Sequence, residues 1–260
     1  MIRGLYTSGY SMLTLNRKMD VVTNNMANVN TNGFKKDTVA FEEFSDVLIK
    51  RYFDSGNIPM GKPVNIGNMT LYNDVAEVHT DYTQGALEST GISTDVAING
   101  DEGAFFCVAA PGENNAFREY YTRDGSFKLD TTGRLVTRDG FPVMGNGGAI
   151  ILSGSDFTIT ERGQVMQNDV VIDTLKIRKF QNPESLRKYG MNLATATNES
   201  QDGAFEGTVQ QGFIERSNVD SVKEMVDMIT VLRAYESNQK LIQYQDSTLE
   251  KAVNEVGRLA

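Results

Sequence analysis

The sequence predicts an α+β protein in which long N- and C-terminal helices pair as a coiled-coil inner domain and a central antiparallel all-β domain lies between them. Three observations carry this. Apolar residues recur every seven positions near both ends, short apolar runs broken by Gly-containing dipeptides fill the middle, and stretches rich in Asn, Thr, Gly and Gln separate these regions. The expected organisation is an N-terminal helix over residues 1–30, an extended arm over 31–85, a β domain over 86–190, a return arm over 191–217 and a C-terminal helix over 218–260.

In the first segment Leu5, Met12, Met19 and Met26 fall every seven residues, with Ser8, Leu15, Val22 and Val29 in the intervening register. Such an a/d pattern describes a helix roughly 40 Å long with a narrow apolar seam. The last segment mirrors it. Met228, Tyr235, Ile242, Leu249 and Val256 share one register, and Leu232, Gln239, Asp246 and Val253 the other. Ser221 followed by Glu224 forms a capping box, with Asn218 and Asp220 as alternative caps, so the helix is expected to start between Asn218 and Ser221 and run to about Arg258. An apolar stripe usually covers a chain's own core. Two unusually long terminal helices, with Gln239 and Asp246 in the seam, point instead to an N/C pair that also packs against copies of the same chain. The segment holding Arg3, Arg17, Lys18 and Lys35 against Asp20 is net positive and residues 217–260 are net negative, which favours that pairing weakly.

Between the ends, strands are expected at Val96–Ile98, Ala104–Val108, Phe127–Leu129, Arg134–Val136, Val143–Met144, Ala149–Leu152, Phe157–Ile159 and Leu175–Ile177. The punctuation is Asn99-Gly100, Asp124-Gly125, Thr132-Gly133, Asp139-Gly140, Asn146-Gly147 and Arg162-Gly163, all suited to tight turns. Thr122-Arg123-Asp124-Gly125 recurs as Thr137-Arg138-Asp139-Gly140, each copy followed by an aromatic, Phe127 and Phe141. The EF-hand spacing is absent, so these read as turns rather than calcium loops. Phe41, Phe44, Val47, Leu48 and Tyr52 suggest a short helix inside the first arm.

Composition narrows function. With 25 Lys+Arg against 34 Asp+Glu the net charge is −9, which argues against nucleic acid or an anionic membrane surface as partner. His79 and Cys107 are single copies, so neither a two-His metal site, a thiolate cluster, an internal disulfide nor a catalytic triad is expected, and no cofactor is. No run reaches the length of a membrane span, and residues 1–10 lack the apolar core of a secretory signal. By standard routes that means the cytosol, unless a dedicated export machine reads another signal. Asp95, Asp101 and Glu102 are the candidates for a rival reading as a carboxylate-pair glycoside hydrolase, although nothing selects a pair. A surface stalk or adhesin with coiled-coil ends is the other rival.

The stretch Asn24-Asn25-Met26-Ala27-Asn28-Val29-Asn30-Thr31-Asn32-Gly33-Phe34-Lys35 resembles the N-terminal signature of flagellar rod and hook proteins, the axial family of the bacterial flagellum. Its physical reading is helix termination by Asn and Gly, with Phe34 anchoring the departing chain. Asp95–Gly100, Tyr121–Phe127, Gly133–Thr137 and Gly140–Val143 are similar to the family's β-domain core, and Gly212–Asp220, including Ser217, Asn218 and Val219, with Arg233–Glu236, resembles its C-terminal signature. Asn25, Ala27, Asn28, Thr31, Gly33 and Phe34 carry the N-terminal match.

Length and a single modest β domain look like a basal-body rod protein rather than a hook protein. Met1-Ile2-Arg3 and Arg233–Glu236 look like the distal type and Pro142–Gly148 like the proximal type, so the reading stays open between them. The resemblance implies a subunit that self-associates into a helical filament and joins other rod and hook proteins, the filament being a tubular shaft carrying torque from motor to hook. It implies terminal helices side by side near the tube axis with the β domain outside, and passage unfolded through the flagellar type III export apparatus without a cleaved signal. The seam expected between subunits comprises Leu5, Met12, Leu15, Met19, Val22, Met26, Met228, Leu232, Tyr235, Ile242, Leu249 and Val253. No covalent chemistry and no membrane insertion are expected.

Overall fold

The computed structural model describes residues 2–43, 47–51, 64–69, 73–112, 117–154, 156–190 and 192–256. The chain divides into two compact units, one from Met1–Asn24, Thr38–His79 and Val222–Ala260, the other from Asn25–Asp37 and Thr80–Ser221.

The first unit holds most of helix α1 (Ile2–Ala27) and of helix α2 (Ser221–Lys251), the latter ending in a π-helical turn over Ala252–Val256. The expected end near Arg258 lies outside the described residues. The expected short helix is strand instead. Asp37–Glu43 pairs with Asn73–Thr80, and Val47–Arg51 pairs antiparallel with Val64–Met69. Val39 and Phe41 alternate with smaller or polar residues in Asp37–Glu43, a period of two that outweighs the looser helical spacing. Phe44 and Tyr52 lie outside the described residues.

The paired coiled coil is overturned. Both helices lie largely in the same compact unit, and Gly4 of α1 lies against the Gln245 side chain of α2, but the heptad seam is not buried as a coiled coil requires. Of the expected seam only Val22 is buried. Met12, Leu15, Met19, Met26, Met228, Tyr235, Ile242 and Leu249 are half-buried, while Leu5, Leu232 and Val253 are 36%, 46% and 70% exposed. Ser8, Gln239 and Asp246 interrupt the repeat, and a straight 3.6-residue helix drifts away from a seven-residue pattern unless a partner holds it in supercoil. The fold is mainly β, with one helix near each end of the chain.

The second unit is built on a six-stranded sheet whose spatial order is 187–189, 193–195, 117–122, 104–111, 177–180 and 202–203, antiparallel throughout. Its central strand, Ala104–Pro111, explains its own sequence. Phe106, Val108 and Ala110 face the main core with Val96, Ile98 and Leu135, and the alternate residues Phe105 and Cys107 face a second cluster with Tyr82, Tyr121 and Phe180. A strand covered on both faces needs an unbroken apolar run rather than alternation, because both sets of side chains leave water. Gly100, Gly133, Gly140 and Gly163 take positive φ, as their turn dipeptides require.

The chain leaves this unit beside the path by which it entered. Thr208–Gln211 pairs antiparallel with Val96–Asn99, and after Gly212 the strand Phe213–Glu215 pairs with Leu87–Ser89. That arrangement brings residues 83–85 alongside Glu215.

Candidate functional site

The segment between the end of α1 and Asp37 contains no regular strand, so its backbone groups need partners from elsewhere. The Asn25 side chain supplies two locally, donating from Nδ2 to Asp37 O (2.8 Å) and accepting the Asp37 amide at Oδ1 (3.0 Å). Asn28 accepts the Thr31 hydroxyl (3.2 Å), and the buried Asn32 donates to Ser126 Oγ (2.7 Å). At Gly33, with φ +66°, the amide donates to Glu215 O (2.8 Å). A Cβ there would stand 2.4 Å from Asp124 N, so both the left-handed backbone and the close approach demand glycine. Phe34 is buried beneath Lys188, whose Nζ lies 4.7 Å from the ring centroid and donates to Lys35 O (2.9 Å) and Asp37 Oδ1 (2.6 Å).

Lys35 is the centre of this docking. Its Nζ donates to Glu215 Oε1 and to Thr83 O, both at 2.6 Å. The second carboxylate oxygen, Oε2, accepts from Arg123 Nε at 2.6 Å, and Oε1 also accepts the Gly85 amide (3.0 Å). Arg123 Nη1 donates to Asp101 O (2.7 Å) and to Ala104 O. The Lys35, Glu215 and Arg123 side chains are 4%, 1% and 1% exposed. Burial pushes the Lys35 ammonium below its ordinary pKa, and Glu215 pulls it back. The last anchor is Asn218, which accepts the Lys36 amide at Oδ1 (2.8 Å) and donates to Asp81 O (2.9 Å) and Thr83 Oγ1 (3.0 Å).

The family-signature residues thus divide by location. Asn25, Asn28, Gly33, Phe34 and Val219 are buried, Thr31, Ser217 and Asn218 are half-buried, and Ala27 is exposed. The residues at the centre of the network, Lys35, Arg123 and Glu215, were not singled out as site residues by the sequence reading. The available signal was a carboxylate placed directly after the apolar pair Phe213-Ile214 within the stretch Gly212–Asp220.

The chemistry of this site is cohesion. A cavity of about 30 Å³ beside it, bordered by Phe34, Lys35, Tyr82, Arg123, Lys188 and Asn192, has room for a water or two. Among the described residues no cluster of three or more His, Cys, Asp and Glu side chains could hold a metal, and no helix is long and apolar enough to cross a membrane. Asp95 accepts the Thr90 hydroxyl (2.7 Å), Asp101 pairs with Lys179 (3.1 Å), and Glu102 is exposed. Cys107 is buried, and burial raises its thiol pKa far from nucleophilic range.

Comparison with known proteins follows the same three segments. Residues 5–35 match the family described as flagella basal body rod protein, residues 97–171 the D1 domain of flagellar hook protein FlgE/F/G, and residues 210–255 the C-terminal region of flagellar basal body rod FlgEFG proteins. The chain is 36% identical to the flagellar basal-body rod protein FlgG of Bacillus subtilis, over 98% of this chain and 99% of that one. It is 35% identical to FlgG of Borreliella burgdorferi, with 98% of each covered, and 32% identical to the rod protein FlgF of Rhizobium meliloti, again with 98% of each covered.

Proposed function

Because this chain belongs to the flagellar basal-body rod protein family and is a structural subunit of the rod, we propose that its work is association alone, without covalent chemistry. The subunit polymerises head to tail into a helical filament, a tubular shaft carrying torque from motor to hook, because a heterologous contact whose rotation does not close builds a filament. Other rod and hook proteins are its neighbours. It reaches the flagellum outside the cytoplasm through the type III export apparatus.

One observation carries the association reading. Val222, Met225, Val226, Ile229 and Leu232 form an exposed apolar stripe on α2 at helical spacing, and Tyr6, Tyr10 and Leu13 form one on α1. Stripes of this kind left open to solvent favour coverage by a partner. The neighbouring subunit also covers the half-exposed seam, Leu5, Met12, Leu15, Met19, Met26, Met228, Tyr235, Ile242, Leu249 and Val253 among it. The test is the double variant Ile229→Asp, Leu232→Asp. The expected outcome is a subunit whose unfolding free energy stays within about 0.5 kcal/mol per site and which forms no rod and restores no motility. Normal motility would overturn the reading.

A further inference from the structure

Lys35, Arg123 and Glu215 place two cations around one anion where water is excluded. The three come from distant parts of the chain, Lys35 lying 180 positions from Glu215 and Arg123 lying 92. The remaining acceptors of the two cations, Thr83 O, Asp101 O and Ala104 O, are neutral carbonyls. Glu215 is therefore the charge that makes it tolerable to bury both cations together, since like charges repel strongly at low dielectric.

The partners of Glu215 also have an order. Its backbone pairs with Leu87, and its Oε1 accepts from Gly85, contacts that need nothing from residues 25–37. The reverse does not hold. Docking of that N-terminal segment uses Glu215 O for the Gly33 amide, Glu215 Oε1 for Lys35 and Asn218 Oδ1 for the Lys36 amide, all from the C-terminal segment, together with Ser126, Thr83 and Lys188 of the β unit. We propose that Glu215 is the positioning residue that registers the segments Asn25–Asp37 and Phe213–Asn218 on the β unit, and that Asn25–Asp37 docks only after the strand Phe213–Glu215 has paired. The end of α1 is thereby held from its native path until the segment leading into α2 is in place. The inference is independent of the assembly reading and is read out on the monomer.

The experiment uses full-length chain carrying Glu215→Gln, Lys35→Met, or both, with hydrogen exchange followed peptide by peptide. Glu215→Gln should speed exchange across residues 25–37 by about a hundredfold or more, the equivalent of exposing a broken buried pair. Lys35→Met should do much less, because it leaves Arg123 and Glu215 balanced. Adding Lys35→Met to Glu215→Gln should restore part of the lost protection, since one of the two unneutralised cations is gone. A role in packing or hydrogen bonding alone predicts that the double variant is worse than either single one, and that result would overturn the proposal. If Glu215→Gln does not fold, recovery of folding in the double variant supports the proposal and its failure to recover refutes it. Pulse labelling of refolding wild type should protect Leu87–Ser89 and Phe213–Glu215 before residues 25–37. Simultaneous or reversed protection would refute the order.

Discussion

The same tetrapeptide occurs twice in the β unit and has two fates. In Thr122-Arg123-Asp124-Gly125 and in Thr137-Arg138-Asp139-Gly140 the threonine is buried and its hydroxyl accepts a backbone amide a few residues on, from Asp124 (3.1 Å) and from Phe141 (3.2 Å). There the likeness ends. Arg123 is fully buried against Glu215, while Arg138 is exposed. The glycines differ for different reasons. Gly140 needs its positive φ of 88° and has open space where a side chain would go, whereas Gly125 lacks a positive φ and a Cβ there would stand 1.6 Å from Val96 O. The tetrapeptide encodes the start of a turn, and the segment packed against it decides everything else.

The arginines offer the strongest way to break this comparison. Arg123→Met leaves Lys35 and Glu215 balanced in charge but takes the donor from Glu215 Oε2 and from the carbonyls of Asp101 and Ala104, three buried acceptors, and should cost about 3 to 5 kcal/mol in urea denaturation. Arg138→Met should stay within about 0.5 kcal/mol. Equal losses would mean that the ionic contacts of Arg123 contribute little. The glycines come next. Gly125→Ala must displace the backbone at Val96 in the main core and should cost about 3 kcal/mol or more, while Gly140→Ala meets only left-handed strain of about 1 to 2 kcal/mol. Thermal unfolding of the two variants side by side checks the ranking.

The contrast also marks where sequence reading stops. Helix α1 and a start of α2 between Asn218 and Ser221 follow from apolar period and from the run of cap-forming residues Asn218, Asp220 and Ser221, both written within a few residues. The unbroken run Ala104–Ala110 identifies a buried strand for the same local reason. What covers an apolar face is a different question. Heptad spacing at Met12, Met19 and Met228 specifies a stripe without naming the surface that meets it, and the expected helix pairing failed there. Lys35, Arg123 and Glu215 escaped notice because charged side chains read as solvated, and the reason for burying them lies up to 180 positions away. The family motifs were legible as a resemblance, and the structure adds a physical reason why three of them belong together: each contributes one charged residue to the same buried site.

The aspartates give the smallest and most specific separation. Burial raises the Asp124 carboxyl pKa above its ordinary 3.8, although Ser126 donates to it (2.9 Å). Between the unfolded and the raised folded value the native chain binds more protons than the unfolded one, so this group's contribution to stability falls as pH rises through that interval. The penalty is complete once pH exceeds the folded value. Asp124→Asn removes the penalty while keeping an oxygen to accept the Ser126 amide, and its new NH₂ meets the Asn192 amide, which turns to present its unpartnered Oδ1 in place of the Nδ2–H that donates to Asp124 (3.4 Å). The variant should therefore gain on wild type as pH is raised from about 4 to about 7. Urea midpoints at both ends of that range measure the difference, and a gap that stays flat or narrows would show that burial of Asp124 carries no electrostatic penalty.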